Sequence, residues 1–158
     1  MRRKSGKYFD RIPADPDPLT VRVKKRVSFS DVDIMGIVWH GRYTKYFEEG
    51  FAAIGREFSL SYKEFYESGL RAPIVQMHVD YHSPLILDEI CTIEARMIWN
   101  DGARINIEYT IIKEDGQVAA TGYTIQMFID AESQEHFIVT PPLLENCRNK
   151  WINGEYAC

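Results

Sequence analysis

The pattern of hydrophobic and polar residues divides the chain into segments of different periodicity. Residues 1–20 contain three prolines and little apolar periodicity, so we expect an extended N-terminal arm. From Val21 to Phe29 apolar and polar residues alternate, which predicts a β-strand. After Gly41 the apolar residues recur every three or four positions, which predicts one long amphipathic helix. The predicted apolar face of this helix consists of Tyr43, Phe47, Gly50, Ile54 and Phe58.

The remainder of the chain returns largely to a period of two. After a short helix predicted over residues 62–68, four strands are predicted at Ala72–Tyr81, Glu89–Trp99, Ala103–Ile112 and Val118–Ile129. Asp-Gly pairs at residues 101–102 and 115–116 are typical of tight hairpins. A last short helix is predicted from Pro141 to Trp151. Together these elements predict an α+β domain in which the long helix covers the apolar face of an antiparallel sheet.

Length and charge limit the possible functions. A chain of 158 residues with 45% hydrophobic content can bury one good core, so we predict a single domain over residues 21–158, after the arm. The net charge of −4 offers no basic surface to a nucleic-acid backbone, and the basic start at residues 1–4 is too brief to change this. No apolar run is long enough to be a secretory leader or a membrane span, so we expect a cytoplasmic protein.

The cysteines do not form a recognisable pattern. Cys91, Cys147 and Cys158 are odd in number, widely spaced and without a C-x-x-C pair, which argues against a disulfide framework and a thiolate metal site. Cys91 falls in a strand pattern, and we predict that it is a small buried apolar residue.

The stretch from Ser30 to Tyr43 places two acids between a predicted strand and the long helix. Asp33 comes three residues before Gly36 and shortly before the helix start, where unpaired N–H groups and the positive end of the helix dipole lie. A carboxylate beside donors for an oxyanion suits acyl transfer. The alternative is that Asp31 and Asp33 only cap the turn and the helix, as Asp before a helix usually does.

The surrounding residues favour the catalytic interpretation. Residues 31–43 follow the pattern D-x-D-x-x-G-I-V-W-H-x-x-Y, and an aromatic helical segment ending in Glu48 comes next. This pattern resembles the hotdog-fold acyl-CoA thioesterases of the 4-hydroxybenzoyl-CoA thioesterase type, and the resemblance extends from about Val21 to Ile129. It implies a hotdog fold, in which an antiparallel sheet of about five strands wraps around one long central helix.

The resemblance also implies an activity. A protein of this type hydrolyses an acyl or aroyl thioester to the free acid and CoA without a cofactor, and its substrate is an acyl-CoA or an acyl carrier protein thioester. Two alternatives remain open at this point. One is a non-catalytic hotdog module that binds acyl-CoA or acyl carrier protein, and the other is a hotdog dehydratase.

Individual roles follow from the same resemblance. Asp33 matches the catalytic carboxylate, acting as nucleophile or as general base on water. His40 matches the position whose backbone N–H holds the thioester carbonyl, and Glu48 matches a secondary acid of the helix that could equally be a solvated or interface residue. The remaining residues expected to contact substrate are Gly36, Val38, Trp39, Tyr43 and, for the CoA phosphates, Arg104, with Arg71 and Lys113 as further candidates.

Two further expectations concern metals and assembly. His78, Asp80 and His82 share one face of a strand at a spacing that could ligate zinc, but the resemblance carries no metal, and we expect them to line a subunit interface or the substrate cleft. The resemblance implies a homodimer or a dimer of dimers, with each active site shared between two subunits.

Overall fold

The computed structural model describes residues 6–156, and its centre is an antiparallel sheet of five strands. These are β1 (Leu19–Arg26), β3 (Ile74–Tyr81), β4 (Ile90–Ile98), β5 (Arg104–Lys113) and β6 (Val118–Met127), in the spatial order β1-β4-β5-β6-β3. Two short strands, β2 (Leu70–Arg71) and β7 (Ile129–Asp130), pair separately. The helices are α1 (Tyr43–Phe58), α2 (Tyr62–Glu67) and α3 (Pro142–Ile152), with 3₁₀ turns at Phe29–Asp31 and His40–Arg42.

Helix α1 packs against the inner face of the sheet. All five positions of its predicted apolar face are buried, which confirms the helical period found in the sequence. Phe47 stacks on Tyr109 of β5 with ring centroids 4.3 Å apart. Gly50 faces Ala95 so closely that an added Cβ would lie 3.1 Å from the alanine methyl group. The antiparallel sheet and its helix therefore form the predicted α+β arrangement, the hotdog fold.

The predicted alternation in the strands is also confirmed on the inner face. Cys91, Ile93, Ala95 and Met97 of β4 are all buried beneath α1. Burial raises the pKa of the Cys91 thiol to about 11, so this cysteine is a neutral core residue. Cys147 of α3 is buried as well, and both thiols are free.

The outer face of the sheet is not bare, although the sequence suggested one covered face. The backbone N–H groups of Tyr8 and Phe9 in the arm both donate to Oε1 of Glu108, and Arg96 donates to Oε2 at 3.0 Å. Glu108 points outward from β5 yet is only 2% exposed, because the arm lies over it. The arm thus packs on the outer face of its own sheet.

Three limits of the first and last predicted strands are wrong. The first strand ends at Arg26, not at Phe29, because Ser28 turns the chain by donating its N–H and hydroxyl to the Asp31 carboxylate. The same strand starts at Leu19, two residues before the predicted domain boundary. The last strand breaks after Met127, and Ile129 pairs instead with Arg71 of β2.

Two features noted in the sequence lie outside the residues that the structure describes. The basic start at residues 1–4 and Cys158 lie outside residues 6–156. Within residues 6–156, the helices are too short or too polar to cross a membrane.

Candidate active site

Asp33 is the first residue of a tight turn that joins Val32 to Val38. The turn is closed by bonds from Asp33 N to Ile37 O and from Gly36 N to Asp33 O, each 2.9 Å long. Gly36 has a φ of +75°, and nothing lies within 4 Å of where its Cβ would be, so the backbone conformation alone explains the glycine. Gly36 therefore shapes the turn, and the Met35 N–H donates to Oδ1 of Asp33 at 2.8 Å.

Asp31 has a structural environment quite unlike that of Asp33. Its carboxylate is buried and accepts hydrogen bonds from the Ser28 N–H, the Ser28 hydroxyl and, at 2.8 Å, the Tyr46 hydroxyl of α1. Burial alone would raise the pKa of Asp31, but these donors outweigh it and the pKa is lowered. The capping interpretation therefore fits Asp31, which ties the loop to the helix.

The helix start beside Asp33 presents backbone donors. The 3₁₀ turn at His40–Arg42 runs directly into α1, and the first N–H groups of a helix have no acceptor within it. Of these, the Arg42 N–H donates to Trp39 O at 2.8 Å. Trp39 packs its indole over Gly41, where any Cβ would overlap the ring, and its ring centroid lies 4.9 Å from that of His40. Trp39 thus covers one side of the helix start, and it does not line the cavity that contains Asp33, described next.

One cavity brings four of the predicted site residues together. It has a volume of about 290 Å³, and we call it the Asp33 cavity. Its lining consists of Asp33, Met35, Ile37, Val38, His40, Tyr43, Tyr81, His82, Ser83 and Pro84. The carboxylate, the helix start and the first apolar residue of α1 therefore share one opening in the surface.

Glu48 lines a different cavity on the same chain. This larger cavity, about 610 Å³, lies between α1 and strands β3, β5 and β6. Its lining consists of Thr44, Lys45, Phe47, Glu48, Phe51, Tyr62, Ile74, Met77, Tyr109, Thr124 and Gln126. Burial, together with the nearby Glu48 carboxylate, raises the pKa of Tyr62. Within one chain, Glu48 and Asp33 are not brought together.

Arg104 lies far from the Asp33 cavity of its own chain. It pairs with Met127 at one end of β6, whereas Tyr81, which lines the cavity, pairs with Ala120 near the other end. Seven residues of strand correspond to about 23 Å. Of the other two candidates, Lys113 is closer, since its Nζ donates to Pro84 O at 3.0 Å, while Arg71 packs over the Tyr66 ring.

The three residues considered for zinc belong to a hydrogen-bonded chain on the outer sheet face. Asp80 Oδ2 lies 3.0 Å from His78 Nε2 and accepts from the Tyr8 hydroxyl at 2.8 Å. Tyr8 also bonds Thr121 Oγ1, which lies 2.9 Å from His82 Nε2. Across residues 6–156, no three His, Cys, Asp or Glu side chains are grouped as metal ligands.

Sequence reasoning missed most of the residues that close the cavity from the sheet side. His82 was expected at a subunit interface or in the substrate cleft, but Tyr81 at the end of β3, and Ser83 and Pro84 in the turn after it, were not singled out. The period-two pattern locates this strand end but not the loop that it meets. No signal in the sequence links Tyr81 to the Asp33 turn, which lies almost fifty residues earlier in the chain.

Comparison with known proteins places the chain in a family. Residues 27–147 match the model of the Thioesterase-like superfamily. A 1,4-dihydroxy-2-naphthoyl-CoA hydrolase from Thermosynechococcus vestitus is 22% identical over 130 residues, which cover 82% of this chain and 88% of the relative.

Solved structures share the fold. A DHNA-CoA thioesterase from Staphylococcus aureus superposes with a TM-score of 0.77 at 20% identity, covering 86% of this chain and 93% of the other. The S. aureus protein SAV2348, solved in complex with CoA, gives a TM-score of 0.77 at 19% identity, covering 87% and 86% of the two chains. Since the family model spans residues 27–147 of 158, the chain belongs to the Thioesterase-like superfamily and is a thioester hydrolase.

Proposed function

We propose that this thioester hydrolase cleaves acyl-CoA thioesters, with Asp33 as its catalytic carboxylate. The observation that carries the proposal is that Asp33 and the helix start at His40 line one cavity. A thioester carbonyl bound there would accept a hydrogen bond from the His40 N–H, while the Asp33 carboxylate faces the carbonyl carbon. Donors fixed before the reaction stabilise the negative charge that develops on the carbonyl oxygen.

The reaction balances with these groups alone. Either Asp33 takes a proton from water, whose oxygen attacks the carbonyl carbon, or Asp33 attacks directly and water then hydrolyses the resulting anhydride. In both routes the C–S bond breaks, CoA leaves as a thiolate that takes up a proton, and the free acid is formed. The chemistry needs no metal or cofactor. Family membership favours hydrolysis over the silent binding module and the dehydratase.

A dimer formed through β3 would complete the site. Strand β3 pairs with β6 on one side only, and its first residues Ile74 and Val75 are about half exposed. An unpaired, apolar strand edge readily pairs with another strand. We therefore propose a homodimer, alone or as half of a dimer of dimers, in which two β3 strands pair antiparallel.

Antiparallel pairing has a consequence for the two cavities. It sets the end of one β3 beside the start of the other, and Tyr81 at the end lines the Asp33 cavity while Ile74 at the start lines the larger cavity. Each larger cavity would then face Asp33 of the partner subunit. In this arrangement Glu48 belongs to the site of the other chain, and the larger cavity receives the acyl group.

The remaining parts of the proposal concern CoA and the compartment. Arg104 lies at the same end of the sheet as the start of β3, so its guanidinium would approach a CoA held by the partner subunit. The buried free thiols of Cys91 and Cys147 suit a reducing compartment, which supports a cytoplasmic location.

Thiol release from a panel of thioesters tests the proposed function. We expect turnover of acyl-CoA substrates, with aromatic, short-chain and medium-chain acyl groups compared side by side. Acyl carrier protein thioesters in the same panel separate the two possible carriers. Dialysis against a strong chelator should leave the rate unchanged, because a carboxylate and backbone donors supply the chemistry. Activity that is lost on chelation and restored by zinc would contradict the proposed mechanism.

A further inference from the structure

The last residue of β3 contacts the helix start directly. The Tyr81 hydroxyl donates to the backbone carbonyl oxygen of His40 at 2.7 Å, which is a typical length for a good O–H···O bond. Tyr81 and His40 both line the Asp33 cavity. This bond joins the sheet edge to the backbone that would hold the substrate carbonyl.

Tyr81 is itself held in place on two sides. Its backbone is paired with Ala120 of β6, and its ring packs edge-on against Tyr43 of α1, with centroids 5.1 Å apart and an interplanar angle of 87°. Burial raises the pKa of Tyr81, so the phenol stays protonated and able to donate throughout the neutral range. The hydroxyl is therefore a fixed donor.

The bonded carbonyl belongs to the peptide group between His40 and Gly41. A peptide group is planar, so a bond that fixes its oxygen also fixes the direction of the Gly41 N–H. Drawing electron density toward the carbonyl oxygen also makes that N–H a stronger donor. With Trp39 packed over Gly41, this peptide is held from the sheet side by a hydrogen bond and from the other side by an indole ring.

We propose that Tyr81 is a positioning residue for the hydrolysis: its hydroxyl fixes the His40–Gly41 peptide, and with it the Gly41 N–H and the backbone of His40, whose own N–H would bond the thioester oxygen beside Asp33. This inference rests on the proposed function. Tyr81 acts through the backbone and does not touch the reacting atoms. Its contribution therefore appears in the transition state, where the oxygen becomes negative, more than in ground-state binding.

The test compares Tyr81→Phe with Tyr123→Phe. Tyr81→Phe removes one oxygen and keeps the ring against Tyr43. Tyr123→Phe is the matched control, because the Tyr123 hydroxyl accepts only an exposed bond from Gln76 at 2.9 Å on the outer face. We expect kcat of Tyr81→Phe to fall roughly tenfold with KM nearly unchanged, a smaller loss than removal of an oxyanion donor itself. The control should keep both constants.

Binding of two unreactive substrate analogues supplies a measurement independent of turnover. One is a phosphonate, which places a negatively charged oxygen where the thioester oxygen becomes negative; the other is a thioether in which CH₂ replaces the carbonyl. Tyr81→Phe should bind the phosphonate more weakly and the thioether equally well, and equal thioether binding also shows that the site is folded. Unchanged kcat and phosphonate affinity, or a rise in KM alone, would overturn the positioning role.

Asp33→Asn, measured in parallel, keeps the two proposals apart. If Asp33→Asn turns over normally, the proposed function fails, whatever Tyr81→Phe does. If Asp33→Asn is inactive and Tyr81→Phe is fully active, the proposed function stands and only the inference about Tyr81 fails.

Discussion

Asp31 and Asp33 lie two residues apart, yet their carboxylates meet opposite surroundings. Asp31 is buried among donors from Ser28 and Tyr46, whereas Asp33 is only half buried and lines a cavity. Asp31 ends the 3₁₀ turn at Phe29–Asp31 and Asp33 begins the next turn, so the two side chains serve different parts of the molecule. One carboxylate holds the loop to the helix, and the other is available to a substrate.

Asp31→Asn is expected to destabilise the protein. The amide cannot accept from all three donors as the carboxylate does, so we expect a loss of about 1–3 kcal/mol at pH 7. Because the pKa of Asp31 is lowered in the folded state, its contribution is present above the ordinary value of 3.8 and is lost as pH falls further. The difference between wild type and variant in urea unfolding should therefore shrink below pH 3.8.

Asp115→Asn is the matched control for this experiment. Asp115 is an exposed turn residue that accepts a single hydrogen bond from the Gln117 N–H, so its loss should cost little. Equal stability of Asp31→Asn and wild type at pH 7 would show that the buried hydrogen bonds do not hold the loop.

The residue scale also shows what the sequence could reveal about the site. Asp33, Val38, His40 and Tyr43 were predicted together because they belong to one short motif, and the structure brings them into one cavity. Arg104 was predicted from its place after a hairpin. The register of the sheet puts it at the end of the sheet opposite the Asp33 cavity of the same chain. The sequence therefore predicts which residues lie close together within a short motif, but it does not predict distances between residues across the sheet.

At the scale of elements, the close fit of α1 to the sheet depends on a glycine, which has no side chain to separate the two. Gly122 of β6 lies under Phe47, and a Cβ there would come within 2.6 Å of the Phe47 ring and overlap the His78 carbonyl oxygen. Because the oxygen is backbone, it cannot move aside without bending β3. The glycine is thus required by the close approach of the helix to the sheet edge.

Gly122→Ala is accordingly expected to cost about 3 kcal/mol or more, at the upper end of the range for overpacking. Thermal or urea unfolding measures the loss. Gly102→Ala is the control, since a Cβ at this hairpin turn would lie 3.3 Å from the nearest atom, an asparagine side-chain oxygen that can shift. A Gly122→Ala protein as stable as the control would contradict the packing described for α1.

The same scale shows why the helix was predictable and the arm was not. The helix repeats its apolar positions through sixteen residues, and each one is buried as the period requires. The arm has no period. It is attached by the backbone N–H groups of Tyr8 and Phe9, which any sequence would supply, and by the Tyr8 hydroxyl, whose partners lie far along the chain. Glu108 gave no sign that it accepts them, because an outward-facing acid on a strand is normally solvated.

At the scale of the whole molecule, the open edge of β3 is the feature that the monomer leaves unexplained. Val75→Lys places a charge on this edge, and such charges block pairing between strands. We expect this variant to sediment as a monomer. Its rate of thiol release should also fall, because each proposed site needs the larger cavity of the partner subunit. The fold of the single chain should persist.

Val139→Lys is the control for assembly. Val139 is exposed and lies in the segment before α3, outside the five-stranded sheet, so the variant should keep both assembly and activity. A wild-type protein that sediments as a fully active monomer would contradict the shared site, as would a monomeric Val75→Lys with full turnover.

The most direct test of the central claim is the rate of thiol release by Asp33→Asn from the best acyl-CoA substrate. The substitution keeps the shape of the side chain and removes the charge. We predict an unchanged unfolding transition and a kcat lower by about 10²- to 10⁴-fold, the range for loss of a positioned acid–base group, and lower still if Asp33 is the nucleophile. Asp115→Asn should retain the wild-type rate. A folded Asp33→Asn protein that releases thiol at nearly the wild-type rate would contradict the account.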